Sequence, residues 1–71
     1  MDFNIECEQE EDGRWLAEVV EIPGVMAYGD TAQKAMVKTE VLALRVIAER
    51  LENGECNPID IIINLFSRFF Y

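Results

Sequence analysis

The sequence predicts an α+β domain of two layers, an antiparallel sheet of three to four strands with one long helix across one face, in the order βββαβ. Three observations carry that prediction. Apolar and polar residues alternate with period two near the start, through residues 14–20 and again from residue 59, which marks strands with two unlike faces. Asp12-Gly13 and Pro23-Gly24 punctuate the first half as turns. Between Gly29-Asp30-Thr31 and Gly54 the apolar residues change to helical spacing.

In the first strand Phe3, Ile5 and Cys7 fall on one face and Asn4, Glu6 and Glu8 on the other. After the acidic stretch Glu10-Glu11-Asp12, Gly13 accepts the positive φ of a hairpin, so a second strand starts near Arg14. There Trp15, Ala17 and Val19 share a face, while Leu16 and Val20 leave the opposite face only partly polar, which predicts cover on both faces. Trp15 is read as core and not as a partner anchor, because of that shared face. Ile22-Pro23-Gly24 suits a type II turn, and Val25-Met26-Ala27-Tyr28 returns as a short third strand.

Asp30 or Thr31 is the expected helix N-cap, with Asp30-x-x-Gln33 placed as a capping box. The helix is expected to run to about Asn53, where Gly54 supplies the left-handed residue past its end. Two apolar stripes lie on it. Ala35, Met36, Thr39, Leu42, Ala43 and Val46 form the first, and Val37, Val41, Leu44, Ala48 and Leu51 form the second, roughly opposite. One sheet cannot cover both, so the second stripe, spaced by fours and threes, predicts a helix-pairing seam in a homodimer or higher oligomer. The competing arrangement is a leaning helix that carries Leu44 and Leu51 to the core's edge. Ile59-Asp60-Ile61-Ile62-Ile63-Asn64-Leu65 is the expected fourth strand. Phe69, Phe70 and Tyr71 then form an aromatic tail, expected against a second subunit.

At 71 residues the chain holds a single domain, spanning 1–71, and a domain this small has modest stability on its own. Six Lys and Arg against 14 Asp and Glu give a net charge of −8 at pH 7, which repels a phosphate backbone and excludes direct nucleic-acid binding as an expectation. The same field attracts a basic protein. No basic and apolar leader opens the sequence and no apolar run approaches the ~18 residues of a membrane span, so a cytoplasmic location is expected. Cys7 and Cys56 are not paired as CxxC and there is no histidine, so both read as reduced structural thiols.

The stretch 12–31, DGRWLAEVVEIPGVMAYGDT, followed by Ala35 and Met36, resembles the HicB antitoxin family, whose pattern is D-G-x-W/Y-x-A, a P-G turn, then G-D-T opening a helix. The resemblance implies a partial, degenerate ribonuclease-H-like fold without a catalytic centre. It also implies a partner, a small basic HicA-type ribonuclease toxin whose active site the antitoxin covers, with Glu10, Glu11 and Asp12 as the expected toxin contacts. Full members usually carry a C-terminal DNA-binding domain, which residues 1–71 do not contain. Val20 stands where the family often has proline and Lys34 where it often has glutamate. The alternative is an orphan homo-oligomer of the same fold with a small-molecule or unknown partner.

No enzyme, metal or cofactor is expected. Glu6 and Glu8 share a solvated strand face, Glu10-Glu11-Asp12 sits in a turn, and Ser67 and the cysteines lack a histidine base. Gly29 stands alone before the helix, short of a phosphate-binding loop.

Overall fold

The computed structural model describes residues 2–55 and 64–70. Its elements are β1 (Asp2–Gln9), β2 (Trp15–Val19), β3 (Met26–Gly29), α1 (Ala32–Glu52) and β4 (Asn64–Phe70). The three N-terminal strands form an antiparallel meander followed by one long helix, the α+β arrangement expected. Cys56 and residues 59–63 of the expected fourth strand lie outside the described residues, as does Tyr71.

The fourth strand departs from expectation in place and in direction. β4 begins at Asn64 and takes in Ser67, Arg68, Phe69 and Phe70, which the sequence pattern alone assigns to a tail. It pairs parallel with β1, in the sheet order β3-β2-β1-β4. The cause is topological: β1 and β3 run the same way, and a chain that leaves β3 through a helix returns to the sheet in β3's direction. The aromatic residues therefore have backbone partners, Phe69 opposite Cys7 and Phe70 opposite Glu8.

The core lies between α1 and one sheet face. Phe3, Ile5 and Cys7 from β1 and Ala17 and Val19 from β2 are buried there, with Ile22 and Val25 from the turn before β3. Ala35, Thr39, Ala43 and Ile47 meet them from the helix, at the i, i+4 spacing that keeps one face toward a sheet. Trp15, Met36, Leu42 and Val46 are half-buried around this cluster, so Trp15 packs on the core as its strand phase predicts. Thr39 is wholly buried, and its hydroxyl lies 2.9 Å from the Ala35 carbonyl oxygen of its own helix and 3.1 Å from that of Ala17 in β2. Helix and sheet thus share a polar tie inside the core.

Local chemistry sets the joints. Gly24 has φ +87° and Val25 donates to the Ile22 carbonyl at 3.2 Å, closing the turn around exposed Pro23. At the start of α1 the N-cap is Thr31, whose hydroxyl accepts from the Lys34 backbone N–H at 3.1 Å. Asp30 is exposed and is not the cap, so the capping box on Gln33 does not form. At the other end Gly54 has φ +72°, and donations from Gly54 to Leu51 and from Glu55 to Arg50 complete a Schellman motif. Gly29 has a different duty. A Cβ there would stand 2.5 Å from the Ala35 backbone nitrogen, so its missing side chain is what lets the end of β3 touch the first turn of α1.

Candidate protein-binding face

The sheet has a second face, which no described element covers. Along it the register sets Glu6 against Glu18 and Glu8 against Leu16, then Leu16 against Tyr28 and Glu18 against Met26. Glu6, Leu16 and Glu18 are half-buried, and Glu8, Val20, Met26 and Tyr28 are exposed. The partly polar phase of β2 predicts cover on both faces. The structure corrects this: Val20 is 51% exposed, and α1 lies entirely on the other side.

Two glutamates directly opposed across an antiparallel pair repel each other and cost stability in the isolated domain. Such a pair is relieved when a cation approaches. In the backbone register, Arg68 of β4 is the partner of Glu6.

The face runs out at the β1–β2 hairpin. Gly13 has φ +91°, Gly13 donates to the Glu10 carbonyl at 3.0 Å, and Glu10 donates to the Arg14 carbonyl at 2.7 Å. Asp12 turns back on the loop. Its carboxylate accepts from the Arg14 backbone N–H at 3.1 Å and from Arg14 Nε at 2.7 Å, and the Arg14 guanidinium lies 4.4 Å above the Tyr28 ring. The backbone hydrogen bond, with the guanidinium beside it, holds the Asp12 carboxyl below the usual range. Glu8, Gln9, Glu10, Glu11, Asp12 and Arg14 line a shallow depression of about 410 Å³.

The three acids named from the sequence are therefore unequal. Glu11 is exposed and Glu10 half-exposed, whereas Asp12 forms the only ion pair among the described residues and serves the turn itself. Glu6, Glu8 and Glu18 belong with Glu10 and Glu11, since strand alternation brings all five to one side or its rim. The period-two pattern contained that signal, but only the register brings Glu6 and Glu18 together.

The second helix stripe is outward. Val37, Val41 and Leu44 are 52, 41 and 46% exposed, Ala48 is exposed and Leu51 is half-buried. The helix does not lean far enough to bury Leu44.

Among the described residues no cluster of three or more Cys, Asp or Glu side chains is arranged to hold a metal ion. Cys7 is buried with its sulfur 3.9 Å from the Ala32 carbonyl oxygen, and burial pushes its thiol pKa up, away from the reactive thiolate. No described helix is long and apolar enough to cross a membrane. No family model matches the chain, and no curated protein or solved structure matches it.

Proposed function

We propose that this chain is an antitoxin-like protein-binding module that neutralises a small basic HicA-type ribonuclease by covering its active site. The observation that carries the proposal is the uncovered sheet face, where Glu6 and Glu8 on β1 and Glu18 on β2 stand to one side of Leu16, Met26 and Tyr28 and lead into Glu10 and Glu11. Apolar residues bordered by acids suit a cationic partner: the charges speed encounter and the apolar contacts slow release. A stable complex needs on the order of 1,200 to 2,000 Å² of buried surface, so most of this face would be engaged. The resemblance over residues 12–31 names the class of partner, and a net charge of −8 suits a toxin that binds RNA.

The test is an RNA-cleavage assay on a HicA-type protein from the adjoining reading frame, with this chain titrated in. Cleavage is expected to fall to background at equimolar chain. Association is expected to slow by at least ~10-fold between low and physiological salt, with dissociation changing less. Unaltered cleavage at saturating chain eliminates the proposal. A second reading, an orphan homo-oligomer with a small-molecule or unknown partner, then remains, favoured by the exposed Val37, Val41 and Leu44.

A further inference from the structure

The outward stripe of α1 carries charges in a self-complementary order. Val37, Val41, Leu44, Ala48 and Leu51 run along the side of the helix away from the sheet. On the flank toward β3, Lys34 and Lys38 occupy the first half of the helix and Glu49 and Glu52 the second. Lys38 marks that flank, because its Nζ donates to the Tyr28 carbonyl oxygen at 3.1 Å.

We propose that α1 pairs with α1 of a second copy in antiparallel orientation, about a two-fold axis at Leu44. This sets Val37 against Leu51 of the second copy and Val41 against its Ala48. In an antiparallel pair like flanks meet, so Lys38 of each chain comes opposite Glu52 of the other, and Lys34 points to the same acidic end. The helix dipoles also oppose. One contact is unfavourable, since Arg45 meets its own copy near the axis, although at an exposed site where long side chains can splay. A parallel pair would gain Glu40 against Arg45 but would align the dipoles and stack the lysine-bearing halves on each other. The seam is short, which places the interface at the small end of specific contacts.

This inference does not depend on the antitoxin proposal. The seam and the acidic sheet face lie on opposite sides of the domain, so both can be engaged together, and toxin inhibition that survives in a monomeric variant separates the two.

Sedimentation equilibrium on the full chain provides the test. The parent is expected to dimerise with a dissociation constant on the order of micromolar, as small interfaces do. Leu44→Glu is expected to weaken association at least ~100-fold by placing a charge in the seam, with the helical circular-dichroism signal retained because the site faces away from the core. Lys38→Glu is expected to weaken it ~10-fold, and Lys38→Glu combined with Glu52→Lys to return it near the parent value. In a chain carrying Cys56→Ser, Leu44→Cys is expected to cross-link under mild oxidation. Val37→Cys is not, because antiparallel pairing holds the two copies of that position about 21 Å apart along the axis. A parent monomeric at ~1 mM, an oligomer indifferent to Leu44→Glu, a double charge swap no better than the single, or ready cross-linking through position 37 overturns the proposal.

Discussion

The junction of β3 with α1 and the hairpin between β1 and β2 both turn on a glycine, yet the two glycines solve opposite problems. At the junction Gly29 is buried and holds no unusual φ; it is needed because the Ala35 backbone nitrogen occupies the space a Cβ would take. At the hairpin a Cβ on Gly13 would meet nothing within 4 Å, but the φ of +91° is one that side chains disfavour. The junction is fixed by packing and by the Thr31 and Thr39 hydroxyls, whereas the hairpin is held by exposed hydrogen bonds around Asp12 and Arg14. Both lie at the same end of the sheet, with Trp15 opposite Gly29 and Arg14 over Tyr28, so structure that must not move stands directly beside the solvated acidic surface proposed to meet a partner.

Substitution at the two glycines breaks this comparison most directly. Gly29→Ala is expected to cost about 3 kcal/mol, because backbone and not a flexible side chain would have to yield. Urea denaturation followed by far-UV circular dichroism measures it, and a midpoint equal to the parent's would show that the junction relaxes freely. Gly13→Ala is expected to cost about 1 kcal/mol through backbone strain alone, by the same measurement, leaving the rest of the domain undisturbed.

The smallest effect is a pH dependence at Asp12. Its carboxyl titrates lower in the folded domain than in the unfolded chain, so its stabilising contribution is complete above the unfolded value and is lost as pH falls through the folded one. Asp12→Asn is therefore expected to leave stability at neutral pH nearly unchanged and to flatten slightly the loss of stability below a pH of about 4. Thermal melts at stepped acidic pH compare the two, and parallel curves for variant and parent would remove Asp12 from the hairpin's electrostatics.

Much of the fold was legible because its signals are local. Strand alternation placed Phe3, Ile5, Cys7, Ala17 and Val19 in the core, and the turn glycines Gly13, Gly24 and Gly54 adopt the positive φ their neighbours implied. The helix limits followed from Thr31 and Gly54 in the same way. The rest depends on partners distant in sequence. No local pattern states that β4 runs parallel to β1, that Gly29 touches Ala35, or that Glu6 lies opposite Glu18. The choice between Asp30 and Thr31 as cap turned on a single residue's backbone, since either side chain can accept the bond. For the candidate site, the acidic hairpin was visible in the sequence, while the larger face behind it needed the register.

The parallel pairing of β1 with β4 also shapes how the domain is made. Phe3 and Leu65 are partners although about sixty residues separate them, a high-contact-order closure that slows folding. On the ribosome the meander and α1 emerge first, and one side of β1 keeps open backbone donors and acceptors until the residues of β4 arrive. During that interval another chain's β4 can take the place of the domain's own, so crowded synthesis favours strand exchange between neighbours.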